Sequence, residues 1–286
     1  LGRKEMMARK ILFSPQALHR ALQESRCIVV DCRFNLADTS AGYAAYLESH
    51  IPGAVYAHLD DDLSSPVTAD SGRHPLPHPG DFAAYLSRIG WRPGTPIIAY
   101  DDTGGSIAAR LWWLMKYFGH DCCALLDGGL AAWSDAGFAL EGGVMEVDEA
   151  PLADLGPDRG MVLSALEVTG GLQAGGIVLA DARTPERFSG EVEPIDTVAG
   201  HVPGACNFPN ARVLTKEGRF RPVEEIRKDL QELLGSHPPV DLVHMCGSGV
   251  TACLNLFAAE LVGLQGGRLY AGSWSEWIRD PSRPIG

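Results

Sequence analysis

The chain repeats itself, and a repeat of this length decides the architecture before any single residue is considered. VVDCRF at 29–34 returns as LADART at 179–184, HIPGAV at 50–55 returns as HVPGAC at 201–206, and LLDGGLAAW at 125–133 returns as LYAGSWSEW at 269–277. The offsets are 150, 151 and 144 residues, and the order is kept. Two tandem copies of one fold account for this pattern, and 286 residues leave each copy enough chain for its own core.

Within each copy, short β-branched runs (27–31, 96–101, 177–181 and 240–246) alternate with helical patterns such as 106–118 and 250–261. Alternation of this kind predicts an α/β fold: two tandem units, each a parallel sheet covered by helices on both faces. The stretch 141–160 is rich in Gly, Pro, Asp and Glu and has no sustained apolar period, so it reads as an exposed linker. The expected boundaries are 8–143 for the first unit, 144–160 for the linker and 161–286 for the second unit.

Charge narrows the partners. A formal net charge of -12 disfavours attraction to nucleic acid or to anionic lipid, so neither is expected as a partner. The longest apolar runs, 107–113 and 250–257, are too short for a bilayer span of roughly 20 residues. No apolar signal core stands near the first residue, and the expected location is cytoplasmic. Seven cysteines (27, 32, 122, 123, 206, 246 and 253) form no CxxC pair and are odd in number, which fits neither a disulfide framework nor a zinc site. No metal is expected.

DLVHMCGSGVTACLNLFAAELVG at 241–263 carries the chemistry. It reads as an apolar strand, a tight turn from Cys246 to Thr251, and an amphipathic helix. Gly247 and Gly249 let the turn curl so that successive backbone N–H groups point inward, and the helix that follows adds its positive end. Such a cradle favours an anion, and a thiolate is the nucleophilic form of cysteine. Cys246 is therefore the candidate nucleophile, although the same position also suits a small buried hydrophobe. The other six cysteines read as packing residues. In the first copy the matching strand end, within AYDDTGGSIAARLWW at 99–113, carries Asp101, and its turn is about two residues longer. That unit cannot form a persulfide at this position.

The CGSGVTAC run, the HIPGA and HVPGA pair, DGGLAAW and the closing GSWSEW together resemble the tandem-domain rhodanese superfamily, over nearly the whole chain from about residue 10. Within it, the loop is most similar to that of the 3-mercaptopyruvate sulfurtransferases. The resemblance implies a catalytic second unit, a degenerate first unit and a substrate pocket between them. It also implies that the loop (Gly247, Gly249, Val250 and Thr251) cradles the transferred sulfur, and that Ser248 manages protons with Asp60 and His74. Arg187, in ERFSG, matches the arginine that holds the donor's anionic group. A second arginine usual in the mercaptopyruvate enzymes is missing, with Ile195 nearest its place.

The function so implied is sulfur transfer through a Cys246 persulfide, with no cofactor. The donor is a small anion, 3-mercaptopyruvate being favoured over thiosulfate because the loop itself carries no cation. The acceptor is a thiol, thioredoxin or cyanide. Thiosulfate:cyanide transfer and a non-catalytic persulfide relay remain alternatives. The phosphatases of this fold need a longer loop and an arginine six residues after the cysteine, where Ala252 stands.

Overall fold

The computed structural model describes residues 11–25 and 27–286; the expected start of the first unit at residue 8 lies outside the described residues. Among the described residues, nine strands form two sheets: β1 (Leu12–Phe13), β2 (Ile28–Asp31), β3 (Ala54–Tyr56), β4 (Ile97–Tyr100) and β5 (Cys123–Leu126), then β6 (Val178–Asp181), β7 (Cys206–Asn207), β8 (Leu242–Met245) and β9 (Arg268–Leu269). The orders are β1-β5-β4-β2-β3 and β7-β6-β8-β9, with parallel pairing throughout. The second order is the first without its outer strand, whose counterpart shrinks to a single parallel bridge, Val162 to Leu269. Helices fill the connections, as parallel strands require. None of the described helices is long and apolar enough to cross a membrane.

Two of the repeated motifs serve one joint. Arg33, two residues beyond Asp31, donates to both oxygens of that buried carboxylate, and its Nη2 also donates to Ser49 O (2.6 Å). Arg183 does the same to Asp181, and its Nη2 donates to Gly200 O (2.8 Å). Each pair ties a strand's carboxyl end to the residue just before His-x-Pro-Gly-Ala. A charge pair buried this deeply is tolerable because the guanidinium fork is almost fully satisfied.

The helices Ala108–Tyr117 and Ala252–Leu261 begin just beyond Asp101 and Cys246, and they pack against one another at the junction of the units. Trp112 meets Phe257 edge-on at 5.0 Å, and Lys116 pairs with Glu260. One apolar cluster runs through both units. The amphipathic reading of the second helix therefore needs correction: Ala252 to Ala259 are all buried, because its outer face meets the first unit rather than water. The chain over 141–160 is largely exposed but is pinned to the first unit: His50 and Glu141 form an antiparallel bridge, Ala150 N donates to Ser87 O (2.9 Å) and Asp158 N to Tyr117 O (2.7 Å).

His244, in the middle of β8, is fully buried, and neither ring nitrogen has a partner among the described residues. Burial holds its pKa down, at about 3. A histidine that is neutral when folded and ordinary when unfolded adds stability above about pH 6.5, and that stability drains away between there and pH 3. His244→Leu is expected to flatten this part of the stability curve, retaining several kcal/mol more than the parent at pH 4 relative to pH 7. Urea unfolding at both pH values checks it, and parallel losses in the two proteins would refute it.

Candidate active site

Cys246 closes β8 and opens the loop. Its backbone is held on both sides by the turn from Tyr270 to Trp274: Cys246 N donates to Ser273 Oγ (3.1 Å), Trp274 N donates to Cys246 O (3.0 Å) and Ser275 N to Gly247 O (2.9 Å). Gly249 has φ of 74°, a conformation that disfavours side chains, and a Cβ there would stand 2.2 Å from Ala271 O. Its N–H donates to Cys246 Sγ (3.1 Å), so the loop does turn a backbone donor onto the sulfur. Val250 is buried in the shared apolar cluster, and Thr251 occupies the position before the helix.

The first unit shows what this cradle accepts. Asp101 takes four backbone N–H bonds, from Thr103, Gly105 and Ile107 at 2.8 Å and from Ala108 at 2.9 Å. A carboxylate fills the place of the thiol. The first helix starts seven residues after Asp101 and the second six after Cys246, so the turns differ by one residue rather than about two.

Asp60, His74 and Ser248 form a chain across the junction. Ser248 Oγ lies 2.7 Å from His74 Nδ1, and His74 Nε2 lies 3.2 Å from Asp60 Oδ1. Burial lowers the His74 pKa despite the Asp60 carboxylate, leaving the ring neutral and able to take a proton. The hydrogen bond from His74 lowers that of Asp60 in turn.

Arg187 reaches the loop but is not free. It is bound to both oxygens of Glu193, with Nη2 also 3.1 Å from Asp196 Oδ2. Ile195, where the resemblance leaves a gap, is 43% exposed and offers nothing to the loop. A second guanidinium arrives instead from the other unit. Arg73 Nη1 lies 2.6 Å from Asp196 Oδ1, and a Cβ on Gly247 would sit 3.2 Å from Arg73 Nη2 and 3.6 Å from each terminal nitrogen of Arg187.

Arg110, fully buried on the first helix, donates to Gly249 O (3.0 Å) and His74 O (3.1 Å), joining the loop to the proton chain. Sequence reasoning missed Arg73, Arg110 and Ser273. The available signals were a cation beside the expected histidine, a cation amid the apolar first turns of a helix, and a serine where the first copy has Gly129.

A cavity of about 680 Å³ is walled by Tyr43, Tyr46, Tyr56 and His58 and touches no residue of the Cys246 loop. A cavity of about 460 Å³ between the units includes Arg73, Asp196 and Ser275. The second borders the Arg73–Asp196 pair but, like the first, is lined by no residue of the Cys246 loop.

The rhodanese-like domain family matches this chain twice, at residues 14–136 and 164–280. A Pseudomonas aeruginosa protein named "Probable 3-mercaptopyruvate sulfurtransferase" is 47% identical over 276 residues, covering 96% of this chain and 97% of that protein. A Mycobacterium tuberculosis protein named "Putative thiosulfate sulfurtransferase SseB" is 41% identical over 260 residues, 90% of each. Among solved structures, Escherichia coli SseA, described as a 3-mercaptopyruvate sulfotransferase, superposes with a TM-score of 0.81 at 28% identity, covering 93% of this chain and all of that one.

Ser273 has φ of 53°, a left-handed backbone, at the position where the first copy has Gly129 (φ 55°). Its hydroxyl holds Cys246 N and donates to Tyr270 O (2.9 Å), which is why strain is accepted there. Ser273→Gly and Ser273→Ala should both lower turnover, by roughly tenfold for one lost hydrogen bond near the nucleophile. The alanine variant should also be less stable than the glycine variant by about 1 kcal/mol. Thermal unfolding beside steady-state rates tests both points, and equal stability of the two would dismiss the strain.

Proposed function

The chain belongs to the rhodanese family and is a sulfurtransferase, and from that premise we propose that it takes sulfur from 3-mercaptopyruvate onto Cys246 as a persulfide. The observation that carries this reading is the Asp60–His74–Ser248 chain ending beside the cradle. Removing sulfur from mercaptopyruvate breaks a carbon–sulfur bond and leaves a carbanion, whereas thiosulfate releases sulfite and leaves no carbon to protonate. Either donor needs the Cys246 proton removed, but only the first also needs a proton delivered to carbon.

The step balances as follows. The proton of the Cys246 thiol passes to His74, which Asp60 holds in place. Cys246 Sγ attacks the donor sulfur, the new S–S bond forms, and the C–S bond breaks with its electron pair going to carbon as the enolate of pyruvate. Ser248 hands the proton from His74 to that carbon. Gly249 N–H steadies the sulfur centre. An acceptor thiolate then attacks the outer sulfur, leaves as its own persulfide and restores Cys246, so the kinetics are ping-pong. A small thiol, reduced thioredoxin or cyanide fits this second half-reaction. Because the cycle needs Cys246 reduced, it belongs in a reducing compartment, and we assign the protein to the cytoplasm. Cys246 is only 2% exposed, which suits a small donor better than a docked protein relay.

Cys246→Ser should abolish transfer from either donor and prevent the gain of one sulfur atom seen by mass spectrometry. His74→Gln and Ser248→Ala should lower kcat/KM for mercaptopyruvate by about a hundredfold, within the usual range for a lost proton-transfer group, and affect thiosulfate less, since only the carbon protonation is lost selectively. In the parent, the acid limb of the mercaptopyruvate profile should fall below the ordinary imidazole value of about 6.5, since burial keeps His74 neutral. Equal losses with both donors, or faster thiosulfate turnover in the parent, would reject mercaptopyruvate as the donor.

A further inference from the structure

Two guanidinium groups from opposite units converge on one glycine of the loop, in a protein whose formal net charge is -12. Like charges brought together at a junction repel unless something negative lies between them. Here that something is Asp196. Its side chain is 4% exposed, and it takes Arg73 Nη1 on one oxygen and Arg187 Nη2 on the other. Glu193 satisfies most of the remaining Arg187 fork. Arg73 is less completely paired: its Nε is buried and has no partner among the described residues. Gly247, whose missing side chain would otherwise fill the gap, leaves space between the two forks and the loop.

We infer that Arg73 is a donor-binding, specificity-determining residue of the second unit's site, contributed by the first unit. With Arg187 it forms a two-guanidinium clamp for the acid group of the donor, for which the Asp196 carboxylate stands in here. The chemical class is a small donor whose carboxylate or sulfonate lies a few atoms from the transferred sulfur. A planar fork suits both acids, since each offers two oxygens side by side. Buried Nε then gains an acceptor, and the donor's acid takes the place that Asp196 holds between the two forks. The inference rests on the proposed sulfur-transfer site but not on which donor is preferred.

Arg73→Met keeps the aliphatic stem and removes the fork. It should raise KM tenfold or more for mercaptopyruvate and for thiosulfate, acting on kcat/KM mainly through KM, and Arg73→Lys should recover part of the loss. Asp196→Asn breaks the same ion pair while keeping both guanidinium groups, so KM should stay level or fall. A rise matching that of Arg73→Met would show that the ion pair, not the fork, matters, and would overturn the inference. So would an unchanged KM in Arg73→Met. A turnover-free arm separates this inference from the proposed function: pyruvate should slow alkylation of Cys246 by iodoacetamide, with the half-protecting concentration tenfold higher in Arg73→Met. If the parent turns over neither donor, the sulfur-transfer reading fails while this arm still decides the clamp, and equal protection in parent and variant rejects it.

Discussion

A turn that points several backbone N–H groups at one spot has to be given an anion, because buried donors without a partner cost free energy that the fold cannot recover elsewhere. The chain makes this turn twice. In the first unit the Asp101 carboxylate satisfies four of the donors permanently, and the loop becomes a closed structural element. In the second unit the same place holds Cys246, whose sulfur receives Gly249 N–H. The two loops thus differ in the side chain that the turn receives and by one residue in length. The rest of the fold sets where the two cradles face: strand ends fixed by the Asp31–Arg33 and Asp181–Arg183 pairs, then two buried helices packed on each other.

The first unit is degenerate only at its own loop. In the mechanism proposed above it supplies Asp60 and His74 to the proton chain, Arg73 to the mouth and Arg110 to the floor. Arg110 is informative about the electrostatics. It is fully buried, and its hydrogen-bond acceptors are main-chain carbonyls of Leu63, His74, Pro75 and Gly249. A buried guanidinium held by carbonyls keeps its charge uncancelled. In the sulfur transfer proposed above, its position under the loop gives that charge a counterpart when Cys246 attacks as the thiolate.

Much of this was legible in the sequence because it is local. The repeat, the strand that ends in Cys246, the glycines of the turn and the aspartate replacing cysteine in the first copy are all read within a few neighbouring residues. His74 and Asp60 became legible only through the family resemblance, since nothing near either residue signals Ser248, 174 residues from His74. Arg73 and Arg110 stayed hidden for the same physical reason: each acts across the junction, and a sequence pattern does not say which face of one unit meets the other. The misreading of Ala252–Leu261 as amphipathic has this origin too, because periodicity registers one buried face and a second partner removes the polar one. Ser273 was hidden differently. Its left-handed backbone is ordinary for the glycine in the first copy and costly for serine, so the signal lay in comparing the copies rather than in either alone.

Placing the cations outside the loop has a consequence for how donor choice is set. Gly247, Ser248 and Gly249 carry no charge, so the sulfur cradle itself is indifferent to the donor's acid group. In the clamp inferred above, charge recognition falls to Arg187 on one unit and Arg73 on the other, both tied to Asp196. A donor's acid group that engages both forks therefore spans the junction, just as the Ser248–His74 contact does from the other direction. Any loosening between the units would move the proton chain and the anion clamp away from Cys246 together. The near-complete burial of the two junction helices is what prevents it, and this makes the shared core, rather than the loop sequence, the element on which positioning at the site depends.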